Sequence, residues 1–131
     1  MNISFKTRKE VGALGERAVA EYLRRHGFSI RDRNVARKTG ELDVVAEEAG
    51  TLHFVEVKTI LVDEFPDDKR VHDEYDPSSN LHESKIRKVV RTGEWYVLDT
   101  GWEGDWQVDG CLVWLRRKDG KALVRYLPQI V

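Results

Sequence analysis

The hydrophobic and polar positions alternate most clearly over residues 52–59, which read Leu-His-Phe-Val-Glu-Val-Lys-Thr. Successive side chains of a strand point to opposite faces, so Phe54, Glu56 and Lys58 share one face and Val55 and Val57 the other. Both faces carry apolar residues, which is typical of a central strand covered on both sides. A charged group in such a strand is costly unless a partner or a metal ion compensates it. The pattern therefore marks Glu56 and Lys58 as candidates for chemistry.

A second strand is predicted at residues 41–46, because Ala49 and Gly50 form a turn signal between two apolar runs. If Glu47 pairs with Leu52, the register of the hairpin sets Asp43 opposite Glu56 and Glu41 opposite Lys58. Like charges on facing positions are unfavourable, so a positive group is expected between the two carboxylates. Two carboxylates with an adjacent carbonyl suit Mg²⁺ or Mn²⁺ and do not suit zinc.

The spacing of apolar residues predicts a helix over residues 9–26, with Gly27 ending it. Gly12 and Gly15 lie in its first turns although glycine is a poor helix former, which indicates a close approach to another element. Glu16 follows directly and either points along the packed side of the helix or is an ordinary solvated glutamate.

The rest of the chain predicts a strand at 28–33, a basic loop at 34–40, a polar acidic loop at 60–80, a second helix and two more strands. The second helix is expected to begin with Asn80 as its N-cap, paired with Glu83 in a capping box, and to end near Val97. The last strands are predicted at 107–115 and 122–127 around a turn at 118–121. The order of helix, three-strand meander, helix and two strands predicts one α/β domain over residues 1–131 with a mixed sheet.

Charge is distributed unevenly along the chain. The formal net charge is −1, yet residues 63–76 alone carry seven acids against two bases. The remainder is therefore basic, with cations near the first hairpin and on the second helix, which either contact phosphates or are solvated. The chain has a single cysteine, no apolar signal region at its start and no stretch long enough to span a membrane, so a cytoplasmic protein is expected.

Taken together, these motifs resemble the YraN-like family of small bacterial proteins. The resemblance rests on Gly12, Gly15 and Glu16, on Asn34 and Arg37, and on the segments GELDVVA at 40–46 and FVEVKT at 54–59. That family has the PD-(D/E)XK nuclease-like, or restriction-endonuclease-like, fold and is similar to the archaeal Holliday junction resolvases. The sequence departs from the family at Ile60 and Gln107, where arginine is common, and in its extended acidic loop.

The resemblance implies a metal-dependent endonuclease that hydrolyses phosphodiester bonds in DNA, of a branched or single-stranded kind, in recombination or repair. Asp43 and Glu56 correspond to the metal-binding carboxylates, Lys58 to the motif lysine, and Glu16 to a helix glutamate that approaches the metal directly or through water. Mg²⁺ or Mn²⁺ is the implied cofactor, with no organic cofactor and no membrane partner. The expected DNA contacts are Arg37, Lys38, Lys85, Lys88 and Arg91, and a junction cutter would be a symmetric dimer.

Two other functions stay open from the residues. The chain can be an accessory protein that binds nucleic acid with little or no cleavage, or a protein-interaction module that uses its acidic loop and tryptophans. Lys58 and Asp43 also have ordinary structural interpretations, as an ion pair with Glu41 or Glu56 and as a hairpin residue bonded to backbone.

The remaining polar and aromatic residues give weaker signals. The four histidines have no ligand spacing, Cys111 is expected in the core, and Asp109 is expected to be a structural hydrogen-bonding residue. The four tryptophans are expected to pack in the core or a dimer seam, with Trp102 and Trp106 as a candidate exposed contact surface.

Overall fold

A computed structural model describes residues 2–67 and 83–131 of the chain. The elements follow in the order α1 (Arg8–Arg25), β1 (Ser29–Arg37), β2 (Gly40–Glu48), β3 (Thr51–Val62), α2 (Glu83–Thr100), β4 (Asp105–Arg116) and β5 (Ala122–Leu127). The five strands form one mixed sheet in sequential order, in which only β3 and β4 run parallel. The predicted α/β class, element order and mixed sheet are confirmed.

One helix covers each face of the sheet, because the strands bury apolar side chains on both. On the first face, the α1-side cluster includes Val19 and Leu23 of the helix with Val44, Val55 and Val113 of the strands. On the other, the α2-side cluster is built from the residues Leu42, Val45, Leu52, Phe54, Val89, Tyr96 and Val108. The central position predicted for β3 is therefore confirmed.

Glycines allow both helices to approach β3 closely. A Cβ atom on Gly15 of α1 would lie 1.8 Å from Oγ1 of Thr59, and one on Gly93 of α2 would lie 2.8 Å from the ring of Phe54. Real Cβ atoms do not tolerate such distances, so a larger residue at either position requires the facing side chain or the helix to shift. Gly12, by contrast, has no atom within 4 Å of its added Cβ. The predicted close approach thus applies to Gly15 and not to Gly12.

Two predicted loops are wrong at their boundaries. Residues 34–37, predicted as loop, belong to β1, because Val35 pairs with Leu42 and Arg37 with Gly40 along the neighbouring strand. Residues 60–62, predicted as the start of the acidic loop, extend β3 in parallel pairing with β4. Residues 63–67 have no helix or strand, while residues 68–80 and the predicted Asn80 cap lie outside the described residues.

Asp109 of β4, which pairs with Val55 of β3, is at the centre of a buried polar cluster. Its Oδ2 accepts hydrogen bonds from His53 Nδ1 at 2.6 Å and from the Tyr126 hydroxyl at 2.5 Å, and its Oδ1 accepts from Gln107 Nε2 at 2.7 Å. The Gln129 amide adds a fourth hydrogen bond at 2.9 Å. The structural role predicted for Asp109 is confirmed, and Gln107 is held in this cluster. Cys111 is buried in the α1-side cluster, as predicted.

The tryptophans divide differently from the prediction. Trp114 is buried in a small third cluster together with Leu112 and, at its edge, Ile60, which accounts for an apolar residue at position 60. Trp102 and Trp106 are partly buried and pack against the α2-side cluster, which agrees with the predicted core packing and not with the alternative of an exposed contact surface. Trp95 on α2 is the tryptophan with an exposed side chain, at 51%. No helix among the described residues is long and apolar enough to cross a membrane.

Candidate active site

The candidate site lies where β2 and β3 separate. The two strands pair from Glu48 and Thr51 to Val44 and Val55, with Glu47 opposite Leu52 as predicted. Beyond Val44 their backbone pairing stops, although β2 continues to pair with β1. The predicted facing pair of Glu41 and Lys58 is therefore not formed. A gap opens between the two central strands at the level of the two candidate carboxylates.

Asp43, the residue before Val44 on β2, extends its side chain into this gap. Its Oδ2 accepts a hydrogen bond from the backbone amide of Val57 at 2.9 Å, so a carboxylate replaces the main-chain partner that a continuing ladder would give. Asp43 and Glu56 are close enough for their carboxyl groups to share a hydrogen bond. The structure thus brings together the two acids that the hairpin register predicts.

Burial raises the proton affinity of both carboxylates, because both are largely removed from water. Glu56 is 3% exposed, and burial followed by the charge of Asp43 raises its pKa to about 7, while Lys85 opposes the rise. Burial also raises the pKa of Asp43, against the opposing effects of the Val57 amide and Lys85. A pair of carboxylates in this state favours a nearby cation or shares a proton.

Lys85 supplies the cation nearest to the pair. Its Nζ lies 2.6 Å from Oε1 of Glu56, with the lysine half-exposed on α2 and the glutamate buried. Desolvation lowers the pKa of Lys85, but the hydrogen bond and charge of Glu56, together with the charges of Asp43 and Glu41, raise it overall. The positive group expected between the acids is therefore a side chain of the second helix.

Two cavities meet at this point, and Asp43 and Lys85 line both. The α1-side cavity, about 590 Å³, is also lined by Glu16, Lys58 and the N-terminal end of α1. The α2-side cavity, about 260 Å³, is lined by Glu56, Lys88 and the start of β2. Glu56 and Lys58, two positions apart on β3, thus line different cavities.

Lys58 is exposed and forms no ion pair with any acid in the described part of the chain. The structural interpretation in which Lys58 pairs with Glu41 or Glu56 is therefore wrong, and the ammonium that pairs with Glu56 is Lys85. Lys58 lines the α1-side cavity together with Asp43 and Glu16.

Glu16 faces the site from α1 without joining the acid pair. Burial raises its pKa first, the charge of Asp43 raises it further, and Arg33 and the Asn34 amide oppose the rise. Across residues 2–67 and 83–131, no group of three or more His, Cys, Asp or Glu is close enough together to hold one ion. The structure therefore brings Asp43 and Glu56 together, and Glu16 lines the α1-side cavity with Asp43.

Sequence reasoning missed two cations, Lys6 and Arg8, which line the same α1-side cavity. Arg8 is the first residue of α1, which starts after a capping box made by Thr7 and Glu10. A cation is unfavourable at a helix N-terminus, where the dipole prefers anions. An arginine at this unfavourable position is the signal in the sequence that could have identified Arg8 as a candidate functional residue.

The predicted DNA-contacting cations divide into two places. Lys85 and Lys88 line the acid-pair cavities, whereas Arg37 and Lys38 lie at the β1–β2 turn, beside Trp95 of α2. Arg91 is exposed on α2 and forms no ion pair with a described residue. All five are on the side of the molecule formed by α2 and the start of β2.

The donor set of the pair is compatible with a magnesium-type ion. Mg²⁺ is commonly bound through one or two carboxylates while water and substrate phosphate complete its coordination. Asp43 and Glu56 offer two such groups, and burial raises the pKa of both. The residues therefore fit a hard divalent cation at the pair, and Glu16 is not needed as a direct ligand.

Comparison with known proteins identifies the family. A model of the uncharacterised protein family UPF0102 matches residues 15–119, most of the chain. The chain belongs to the UPF0102 family. The YraN-like resemblance of the sequence is thereby confirmed. The match to UPF0102 begins at Gly15, so it includes all the candidate acids and Lys58 but not Lys6 or Arg8.

Individual UPF0102 proteins are similar over most of their length. One from Campylobacter jejuni (strain 81-176) is 35% identical over 98 residues, covering 75% of this chain and 78% of the relative. One from Nitratiruptor sp. is 31% identical over 103 residues, covering 79% and 81%. One from Desulfosudis oleivorans is 34% identical over 97 residues, covering 74% and 72%.

A solved structure, SfsA of Pyrococcus furiosus in complex with Ca²⁺, is 16% identical to this UPF0102 chain, with a TM-score of 0.34. The alignment covers 94% of this chain and 63% of SfsA, so the chain spans less than two thirds of that protein. A TM-score this low supports no argument about fold or function.

Proposed function

We propose that this UPF0102 protein is a metal-dependent nuclease of the PD-(D/E)XK type that hydrolyses phosphodiester bonds in DNA. The observation that carries the proposal is the buried pair of Asp43 and Glu56 at the separation of β2 and β3, with the Lys85 ammonium 2.6 Å from Glu56. Two largely desolvated acids side by side are costly to maintain even with these partners, which favours a catalytic reason for keeping them.

Asp43 and Glu56 would hold Mg²⁺ or Mn²⁺. When bound, such an ion supplies Lewis acidity toward a phosphoryl oxygen and makes a water acidic enough to lose its proton. The remaining steps belong to the side chains. Hydrolysis adds a water oxygen to phosphorus and releases a sugar hydroxyl, and negative charge grows on the phosphoryl oxygens during the exchange.

Several cations are placed to stabilise that charge. Lys58 and Lys85 line the α1-side cavity beside Asp43, and either ammonium can donate hydrogen bonds to a phosphoryl oxygen. Lys6 and Arg8 line the same cavity, where they can contact phosphates that flank the one being cut. Glu16 is suited to accept a hydrogen bond from a water in this cavity.

The test is cleavage of labelled single-stranded, duplex, flap and four-way-junction DNA, in Mg²⁺, Mn²⁺ or chelator. We expect metal-dependent cutting by wild type and a loss of at least a hundredfold in Asp43→Asn and Glu56→Gln, while Glu103→Gln, a change of an exposed acid outside the site, cuts normally. Circular dichroism spectra establish that every variant is folded.

Lys58→Ala separates catalysis from metal binding. We expect it to cut at least tenfold more slowly while calorimetry gives an unchanged Mn²⁺ affinity, since Lys58 contacts neither carboxylate. Equal cutting by wild type and Asp43→Asn would remove the catalytic assignment.

A second function, DNA binding without cleavage, is favoured by one observation. The Lys85 ion pair already compensates Glu56, so a divalent cation must compete with an ammonium 2.6 Å away. If the protein binds the DNA panel but cuts none of it at any metal concentration, the accessory role replaces the nuclease.

A further inference from the structure

An exposed tryptophan lies beside the cations of the β1–β2 turn. Trp95 of α2 borders a small cavity of about 130 Å³ together with Arg37, Lys38, Thr39 and Asp99. Isolated exposed apolar residues are common and need no function, so exposure by itself is not informative. The informative feature is the combination of an aromatic face with cations at a recess that a flat ring can enter.

The turn is fixed onto the helix by hydrogen bonds. The hydroxyls of Thr39 and Thr92 lie 2.8 Å apart, and Thr92 donates in turn to the carbonyl of Lys88 at 2.8 Å. These contacts hold the turn, and Lys38 with it, over α2 at the level of Trp95. The recess is therefore formed by two elements that are bonded to each other.

The cations at the recess are not equivalent. The Arg37 guanidinium is engaged by Asp99 at 3.4 Å and by the Ala36 carbonyl at 2.9 Å. Lys38 forms no ion pair with any residue that the structure describes. Arg91, one helical turn before Trp95 on the same exposed side, forms none either. Lys38 and Arg91 thus offer charges beside the ring that anionic groups can neutralise.

This surface is continuous with the acid pair. Lys88 lines the α2-side cavity with Asp43 and Glu56, and Trp95 is seven residues, or two turns, further along α2. Two turns rise about 10 Å, which corresponds to about three nucleotides of a stacked strand at 3.4 Å each. A strand leaving the acid pair along α2 would therefore pass Lys88 and Arg91 before reaching Trp95.

We propose that Trp95 is a stacking platform for an unpaired base, about three nucleotides beyond a phosphate at Lys88, which lines the α2-side cavity of the acid pair. The proposal rests on the proposed function and specifies its substrate, namely DNA that is single-stranded on the α2 side of the site. Both faces of a base are covered by its neighbours in duplex DNA, whereas an unpaired base can stack on an aromatic ring. Lys38, Lys88 and Arg91 supply the phosphate contacts along the way.

The test measures DNA binding in the presence of chelator, so that cleavage plays no part. Fluorescence anisotropy follows a labelled 12-nucleotide single strand and the matched duplex on wild type, Trp95→Ala, Trp95→Phe and Leu98→Ala. Leu98 is an exposed apolar residue of the same helix outside the recess and is the matched control.

We expect Trp95→Ala to weaken single-strand binding at least fivefold and duplex binding less than twofold. Trp95→Phe should retain most of the affinity, because phenylalanine keeps an aromatic face, and Leu98→Ala should behave as wild type. Wild-type fluorescence should be quenched by the single strand, and this quenching should be reduced in Trp95→Phe.

Unchanged single-strand binding by Trp95→Ala would overturn the proposal, as would an equal loss on duplex and single strand. A change in oligomeric state without a change in DNA binding would also overturn it and assign the ring to a contact between proteins. The proposed nuclease is judged separately by cleavage. If the protein cuts DNA but Trp95→Ala binds the single strand like wild type, only the stacking platform is overturned. If Trp95 is required for selective single-strand binding but no DNA is cut, only the nuclease is overturned.

Discussion

The Lys85 ammonium lies 2.6 Å from Oε1 of Glu56, and this contact joins the exposed side of α2 to a carboxylate that is almost completely buried in β3. Lys85 therefore serves as the resident counter-ion of the acid pair. Any divalent ion that binds Asp43 and Glu56 takes over the same electrostatic role. Under the proposed function, the lysine would then be available to contact a phosphate, which would link metal binding to substrate binding.

Removing this counter-ion should make stability more dependent on pH. The folded-state pKa of Glu56, about 7, exceeds its ordinary value of 4.5, so its contribution to stability is present below pH 4.5 and lost as pH rises through 7. Lys85→Met should raise that pKa further and destabilise the fold by about 1 kcal/mol at pH 8, a modest figure because Lys85 is half-exposed and screened by solvent. At pH 5 the variant should be close to wild type.

Urea unfolding at pH 5 and pH 8 measures this effect. Glu56→Gln should lose most of the difference in stability between the two pH values, and Lys85→Arg, which keeps the charge, should resemble wild type. A destabilisation of Lys85→Met that is equal at both pH values would mean that the lysine contributes packing and not charge.

Divalent cations should stabilise the protein through the acid pair. An ion at ten times its dissociation constant adds about 1.4 kcal/mol to the free energy of unfolding, which raises the Tm of a chain this size by several degrees. We expect this rise with Mg²⁺ or Mn²⁺ at pH 8, its reversal by chelator, and its absence in Asp43→Asn and Glu56→Gln. A rise of the same size in Asp43→Asn would place the ion elsewhere.

The two glycines of α1 should respond in opposite directions to the same substitution. Gly15→Ala sets a Cβ atom 1.8 Å from Thr59 Oγ1 and should destabilise the fold by about 1–3 kcal/mol, because the Thr59 side chain or the helix must shift. Gly12→Ala meets no atom within 4 Å and should stabilise it by up to about 1 kcal/mol through helix propensity. Chemical unfolding of the two variants under the same conditions separates the cost of the clash with Thr59 from the gain in helix propensity. Equal changes in the free energy of unfolding would mean that α1 does not contact Thr59.

The buried cluster around Asp109 should govern acid stability. Burial would raise the pKa of Asp109, but the hydrogen bonds from His53, Tyr126, Gln129 and Gln107 outweigh it and lower the pKa below the usual 3.8. Its contribution is therefore present above pH 3.8 and lost as pH falls through the lowered value. Asp109→Asn should cost about 3 kcal/mol at pH 7 and reduce the acid dependence of unfolding. Thermal unfolding between pH 2.5 and 7 measures the loss of stability and its dependence on pH. If Tm falls at low pH by the same amount in wild type and Asp109→Asn, Asp109 is excluded as the cause of that fall.

Lys6 and Arg8 should contribute to DNA affinity through phosphate contacts. Each contact neutralised adds about 0.9 to the slope of log affinity against log salt, so replacing both with alanine should reduce that slope by about 2. Arg24→Ala, a change of an exposed cation near the far end of α1, is the control and should leave the slope unchanged. A uniform loss of affinity with an unaltered slope would show that the two residues act through the fold of the helix start.

Much of this fold could be predicted because apolar periodicity survives along most of the chain. The two-sided burial of Phe54 and Val55 defined the central strand, and the turn at Gly50 set the hairpin register that brings Asp43 and Glu56 together. Residues 34–37 begin and end with the polar Asn34 and Arg37, and residues 60–62, although all apolar, run directly into the acidic segment, so no side-chain pattern marks the strand boundaries there. They become strand because neighbouring strands offer main-chain hydrogen bonds, which side-chain patterns do not record.

The site was predicted less completely for a physical reason. Strict alternation assigns Glu56 and Lys58 to the same face, yet they line different cavities once β2 leaves β3 and the site opens on both sides. The ion pair of Glu56 with Lys85 depends on how far α2 crosses the sheet, which no local pattern reveals. Lys6 and Arg8 likewise reach the site only because the start of α1 lies over it.

The hydrogen bond from the Val57 amide to Asp43 makes one backbone proton a direct reporter of the candidate site. Because β2 does not pair with β3 at this level, the amide has no main-chain bond to mask a change in the carboxylate. Protonation of Asp43, capture of a cation or a shift of the strands should each alter its chemical shift and its rate of exchange with solvent. A single resonance in an NMR titration can thus follow occupancy of the acid pair without any label on the ligand.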